Sequence, residues 1–283
     1  MSSPLGFLLV FLAIAIIFPF GKANFNSDFD IVTGIDGHAT ILDGGEELRL
    51  SMDKNSGSGV ASKTKFLFGK FDARMKLIAR NSAGTVTSFY LSSEPPNQDE
   101  IDFEFLGHVR GDLYVLQTNI FTNGKGDREQ RFHLWFDPTQ DFHTYTILWN
   151  PLQIIMYVDD TPIRLFKRNE SLGVDYIEKQ PVKVQASLWN GEDWATEGGT
   201  IKIDWSKSPF FTYYRNYSEN ACIWYGPGSH SCGNDVSSWM NRGLEAKEVE
   251  KIAWAKKNYM IYNYCDKAGT DETIQKECSR EFS

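Results

Sequence analysis

The chain lacks the features that would fit it for nucleic acid, membrane or metal. Positive charge is in deficit: 29 lysines and arginines face 37 aspartates and glutamates, a formal net charge of −8. Such a balance repels phosphate backbones and excludes nucleic acid as a partner. Long hydrophobic runs are confined to one, Leu5 to Phe20. It ends in Gly21-Lys22-Ala23, the pattern of a secretory signal peptide, residues 1–23, cut after Ala23. A membrane anchor is the rival reading, but the run is near the lower length limit for a span. With no second run, no membrane association is expected after cleavage. Cysteine is missing until Cys222, and Cys222, Cys232, Cys265 and Cys278 are the only four. Their spacings are not zinc-knuckle spacings and His230 is the only histidine nearby, so no metal and no cofactor are expected. Helical patterning is absent from about Phe25 to about Tyr214, which argues against an α/β plan. No repeat of fixed period is evident.

What is present is a succession of short strand-like runs. Examples are Glu47–Met52, Phe66–Phe71 and Tyr145–Trp149. Ile154–Val158 meets Asp159-Asp160-Thr161-Pro162 and restarts at Ile163, which reads as a hairpin. Many short strands without intervening helices predict an all-β antiparallel sandwich over residues 24–207. Aromatics are abundant, with 20 Phe, 12 Tyr and 8 Trp. They are good strand formers, and also the rings that stack on sugars.

The character changes near Ser208. Residues 244–260 interleave Glu, Lys and Ala and predict a helix, with Gly243 as its upstream cap. A short strand, Tyr259–Cys265, should follow. Residues 208–283 read as a small disulfide-stapled helix/strand extension packed on the sandwich, because their own core would be too small. In an exported chain four cysteines allow three pairings. The local one, Cys222–Cys232 and Cys265–Cys278, is expected. Asn169-Glu170-Ser171 and Asn216-Tyr217-Ser218 are candidate glycosylation sites at Asn169 and Asn216.

The chemistry concentrates in Asp99-Glu100-Ile101-Asp102-Phe103-Glu104-Phe105. In a strand, alternate side chains share a face. Glu100, Asp102 and Glu104 therefore line one face while Ile101, Phe103 and Phe105 bury the other. Three like charges in a row are costly and need a reason. An exposed solvated face would not be backed by large aromatics, and a calcium site would need Asp/Asn/Gly loop chemistry. Paired carboxyls for cleaving a glycosidic bond remain. Positions i and i+4 lie about 13 Å apart at Cα. Retaining catalysis needs carboxyl groups ~5–5.5 Å apart. Twist and curvature must close that gap.

At these residues the chain resembles the xyloglucan endotransglucosylase/hydrolases, plant enzymes of glycoside hydrolase family 16. The resemblance spans nearly the whole mature chain. It runs through Gln117-Thr118-Asn119, Gly124–Gln130, Leu134–Pro138, Ile147–Asn150, Ser187–Asn190, Asp193–Thr196 and Asp204–Lys207. It implies a concanavalin-like β-jelly-roll with a sugar cleft on its concave face. Glu100 would be the nucleophile, Glu104 the proton donor and acid/base, and Asp102 their assistant. Tyr90 would stack on the donor side. Gln117, Asn119, Asp127, Glu129, Arg131 and Gly199 match substrate-binding positions, and Trp189 and Trp194 would be glucan platforms. The implied partners are xyloglucan donor and acceptor chains, the implied location the plant cell wall and apoplast, and a monomer is expected.

Hydrolytic members carry a longer loop in the region of 121–130. The short Phe121–Asp127 stretch resembles the transferases. Departures concern the surroundings. His108 stands where a sequon usually begins, Gln98 where His is common, and Asp266–Asp271 where an acceptor-holding arginine is usual. The rival readings are a predominantly hydrolytic xyloglucanase, a mixed-linkage β-glucan hydrolase and a non-catalytic glucan-binding lectin. The cysteine-bearing extension disfavours the mixed-linkage reading, and the complete acid row disfavours the lectin.

Overall fold

The computed structural model describes residues 24–267, 269 and 271–279. The expected signal peptide, residues 1–23, lies outside the described residues. The elements in chain order begin with a short helix α1 (Phe25–Asp28) and strands β1 (Phe29–Thr33), β2 (Ala39–Leu42), β3 (Glu47–Met52) and β4 (Ser58–Ser62). Next come β5 (Phe66–Lys76), β6 (Thr85–Ser92), β7 (Glu100–Leu106), β8 (Val115–Phe121) and β9 (Gln130–His133). They are followed by β10 (His143–Trp149), β11 (Gln153–Val158), β12 (Thr161–Lys167) and β13 (Lys183–Asn190). The remainder holds β14 (Phe210–Gly226), β15 (Ser229–Cys232), helix α2 (Ala246–Tyr259), β16 (Met260–Asn263) and helix α3 (Glu272–Cys278).

Two antiparallel sheets face each other, as the strand-rich pattern predicts. One runs β1-β4-β13-β6-β7-β8-β9-β16; the other runs β12-β11-β10-β5-β14-β3-β2, with β15 paired to β14. Alternation assigns the faces. On β7, Ile101, Phe103 and Phe105 are fully buried. Phe105 meets Tyr145 of the opposite sheet edge-on at 4.7 Å, and Phe103 meets it at 5.8 Å. On β5, Phe71, Ala73 and Met75 point inward in the same way. The hairpin between β11 and β12 turns at Asp159, whose φ of 51° suits the short polar side chain.

The C-terminal part departs from expectation in two ways. The boundary expected at 208 falls immediately before β14, which spans 17 residues and pairs with both β5 and β3. The first stretch of the expected extension is thus a central strand of the sandwich. The helix begins at Ala246, and its cap is Glu245 rather than Gly243. Glu245 and Glu248 cap each other, with the Glu245 amide donating to Glu248 Oε2 at 3.0 Å. The preceding residues are held elsewhere: Asn150 Nδ2 and Gln153 Nε2 both donate to the Arg242 carbonyl.

The extension closes one flank of the sandwich. Trp239 and Ile252 are fully buried with Leu148, Ile155, Tyr157 and Leu165 in a second apolar cluster. Ala255 of α2 reaches the main core. β16 adds an edge strand beside β9. Both expected disulfides, Cys222–Cys232 and Cys265–Cys278, are present.

Candidate active site

Strand register builds the site. β7 lies in the middle of its sheet, and rungs cross it from both sides. One rung runs Gly59, Ser187, Ser88, Glu104, Gln117, Arg131, Tyr262. The next aligns Gln185, Tyr90, Asp102 and Asn119. A third aligns Ser92, Glu100 and Phe121. Because these residues occupy matching positions of antiparallel neighbours, their side chains project from the same face. That face is the outer one, opposite Ile101, Phe103 and Phe105.

Glu100, Asp102 and Glu104 all open into one groove of about 410 Å³, walled by Tyr90 and Trp189 and floored by Gly57 and Gly59. Gly57 is required there by proximity: a Cβ would lie 2.4 Å from the Leu188 carbonyl oxygen. The three acids therefore converge on a single space despite their separation along the backbone.

Each carboxyl has its own set of partners. Gln98 Nε2 donates to Glu100 Oε2 at 2.8 Å. Gln117 Nε2 donates to Glu104 Oε2 at 2.7 Å, and Arg131 Nε donates to Gln117 Oε1 at 2.6 Å. This relay fixes the Gln117 amide and aims its donor at Glu104. Asp102 is 5% exposed, and its Oδ1 finds no donor among the described residues.

Burial dominates the electrostatics of the row. It pushes all three carboxyls above the usual carboxylate range. Asp102 moves furthest, raised well above its ordinary value by burial and then by the charges of Glu100 and Glu104. Hydrogen bonds from Ser92, Asp102 and Gln98 draw Glu100 back down. For Glu104, burial comes first, the Gln117 donor opposes it, and the charges of Glu100 and Glu129 raise it further. The row is graded: Asp102, the most buried, is raised furthest, while donors to Glu100 oppose its rise. Burial, followed by the charges of Glu100 and Asp102, keeps the Tyr90 hydroxyl neutral, and it donates to Gln185 Oε1 at 3.1 Å.

The other expected residues are placed as follows. Trp189 lines the groove and its indole N–H donates to Ser88 Oγ at 3.4 Å. Trp194 stands beside it, 5.9 Å between rings, packed with Val86, Leu106 and Ala195. Asn119 sits level with Asp102, but its amide works on the β8–β9 connection. Its Nδ2 donates to Glu129 Oε1 at 3.3 Å and its Oδ1 accepts from the Arg128 amide at 3.1 Å. Asp127 is exposed in that connection with φ of 61°. Gly199 lies in a turn at φ of 85°, where any Cβ would strike the Asp193 carbonyl, so its part is played by backbone. Sequence reasoning assigned no role to Ser88, Ser92, Gln185, Ser187 and Gln98. Ser88-x-Tyr90-x-Ser92 was the readable signal, a period-two polar row flanking the acids.

The β8–β9 connection is braced by α3 and the residues before it. Arg128 Nε bonds both carboxylate oxygens of Glu277 at 2.9 Å, and the Tyr264 hydroxyl donates to Glu277 Oε1 at 2.5 Å. Glu277 is 6% exposed. A buried pair of this kind fixes geometry more surely than it adds stability.

Residues 25–207 match the family described as Glycosyl hydrolases family 16, and residues 234–278 match the Xyloglucan endo-transglycosylase (XET) C-terminus. The chain is 51% identical over 275 residues to Xyloglucan endotransglucosylase protein 1 of Diospyros kaki, covering 97% of this chain and 94% of that protein. It is 52% identical over 263 residues to Probable xyloglucan endotransglucosylase/hydrolase protein 23 of Arabidopsis thaliana, covering 91% of each. Among solved structures, Bacillus licheniformis beta-glucanase aligns with a TM-score of 0.55 at 24% identity, over 74% of this chain and 96% of that one. The apo Crh5 transglycosylase aligns with a TM-score of 0.54 at 25% identity, over 69% and 79%.

Proposed function

Because this chain belongs to glycosyl hydrolases family 16, we propose that it is a retaining xyloglucan endotransglucosylase. It cuts the β-1,4-glucan backbone and rejoins the cut end to an acceptor xyloglucan chain. The observation that carries this reading is the row Glu100, Asp102, Glu104 on one face of β7, opening into one groove.

Glu104 gives its proton to the glycosidic oxygen as that bond breaks. The Glu100 carboxylate attacks the anomeric carbon and forms a glycosyl ester, and the leaving chain departs with the proton. Asp102 steadies the charge on Glu100 before attack. Esterification removes the Glu100 charge, one of the forces that hold Glu104 protonated. Glu104 now ionises more readily and takes the proton of the incoming 4-hydroxyl. The hydroxyl oxygen attacks the anomeric carbon and releases Glu100.

Transfer outruns hydrolysis when acceptor sugar is held at the intermediate. β16 widens the face beyond β9, and the β8–β9 connection stays short and latched by Arg128. Both support acceptor binding over water entry. In this reading the protein is secreted to the cell wall and acts there as a monomer. Asn216 is exposed and the better placed glycan acceptor; the Asn169 amide donates to the Lys167 carbonyl at 3.3 Å.

The test mixes purified protein with xyloglucan, with and without labelled xyloglucan oligosaccharide. Label entering polymer supports transfer. Viscosity loss that does not need acceptor supports a predominantly hydrolytic enzyme. Activity on mixed-linkage glucan but not xyloglucan sinks the reading.

A further inference from the structure

The back of the sandwich carries a second groove of different chemistry. Register across β3, β14 and β5 places Arg49, Tyr213 and Lys76 in one rung and Glu47, Arg215 and Arg74 in the next. Their neighbours Leu48, Leu50, Thr212, Tyr214, Ala73 and Met75 are buried between the sheets. The rung residues therefore face outward. Beside them a groove of about 430 Å³ is lined by Lys76, Arg80, Lys207, Phe211 and Tyr213, and no carboxylate lines it. Its size matches the roughly 300–1,000 Å³ of ligand sites.

Six cations gather here: Arg49, Arg74, Lys76, Arg80, Lys207 and Arg215. One acid, Glu47, shares their rungs. This occurs in a chain of net charge −8. Among the described residues, ion pairs form elsewhere, and none of the six cations is in one. Arg49, Arg74 and Arg215 each keep a buried Nε–H without an acceptor, and two of them donate only to neutral groups, Arg49 to Thr40 Oγ1 and Arg74 to the Phe142 carbonyl. Rings interleave with the charges. Arg49 stands over Phe211 at 5.2 Å and Arg215 over Phe142 at 3.7 Å. Like charges held together repel unless something of opposite sign relieves them.

We propose that this face is a second carbohydrate site that binds a carboxylated polysaccharide, a polymer of uronic acid. The cations meet its carboxylates, and the rings of Phe211 and Tyr213 meet the flat faces of its sugars. A neutral glucan, suited to the opposite face, offers nothing to six charges. Asn216 follows Arg215 on β14, about 16 Å along the strand from Phe211 at ~3.3 Å per residue, so a glycan there leaves the Phe211 end open.

Affinity electrophoresis of the full-length secreted protein tests this. Native gels contain sodium polygalacturonate, its fully methyl-esterified form, inorganic polyphosphate or no polymer. Polygalacturonate retards the protein, and about 0.2 M salt abolishes the effect by screening. The esterified form and polyphosphate retard it far less. Arg80→Ser/Lys207→Ser weakens retention at least about fivefold, the scale of two exposed charge contacts. Phe211→Ala weakens it too. Arg80 and Lys207 are exposed, so the double variant keeps xyloglucan transfer activity, which also reports correct folding. No retardation of the native protein overturns the proposal. So does equal retardation by the esterified polymer or polyphosphate, or unchanged retention of both variants. None of these outcomes bears on the xyloglucan reading, which the transfer assay measures separately.

Discussion

β7 and β5 run through the middles of opposing sheets and are built alike. Each buries alternate residues in the shared core, and each turns a row of charges outward: Glu100, Asp102 and Glu104 on one, Lys70, Asp72, Arg74 and Lys76 on the other. Their surroundings differ. Tyr90 and Trp189 wall the β7 row into a groove, and Asp102 is almost fully buried. The β5 row is half-buried beneath an open surface. Burial turns the first row into proton carriers, because the charged form becomes expensive. Water leaves the second row to act by attraction alone, weakened by salt. One alternating pattern thus yields two chemistries, and neighbouring strands decide which.

The sharpest way to break this contrast is Glu100→Ala. Transfer activity should fall at least about a thousandfold, as expected for a lost nucleophile. Label incorporation into polymer measures it; activity within tenfold of native would remove catalysis from β7. Trp239→Ala probes the covered flank of the other sheet. It should cost about 3–5 kcal/mol in urea unfolding, because a fully buried ring is lost. Specific activity of the folded fraction should hold. An unchanged midpoint would mean the extension does not stabilise the sandwich. Cys222→Ser/Cys232→Ser should cost about 2–3 kcal/mol, from a cross-link closing a separation of ten residues. Calorimetry of the two proteins decides it.

Two smaller effects sharpen the electrostatic half. The acid row binds protons more tightly folded than unfolded, since its values are raised. Its contribution to stability is full below the unfolded carboxylate range, near pH 4, and is lost as pH rises through the raised folded values. Asp102→Asn should flatten that decline in melting temperature, read by a thermal scan across pH. An unaltered slope would contradict a raised Asp102. Gln117→Ala removes the donor that draws Glu104 down. The alkaline limb of kcat/KM should move to higher pH. A limb that stays in place would detach Gln117 from the acid/base group.

Much of this arrangement was legible in the sequence because alternation is local. The face assignment of 100–105 and the hairpin at 159–162 follow from short-range rules. β14 was not readable in the same way. Its register shifts near 215–218 and 221–223 and its run Arg215-Asn216-Tyr217-Ser218-Glu219-Asn220 break the period that announces a strand. The helix cap was missed because a glutamate cap depends on its partner three residues on, while Gly243 was the more visible breaker. Gln98 and Gln185 were silent because single polar residues carry no periodic signal; a hydrogen bond to Glu100 places the first beside the acids and strand register places the second. The back groove needed three strands, distant in sequence, to be laid side by side.

The latch between Arg128 and Glu277 couples two regions far apart in sequence. It ties the β8–β9 connection to α3 across 149 residues of sequence, and the Cys265–Cys278 disulfide holds α3 in place. The two sheets do not depend on this latch for their pairing, but the β8–β9 connection gains its buried ion pair once α3 has docked. A chain clipped before α3 would carry all three acids on β7 and still lack the ion pair that holds the β8–β9 connection.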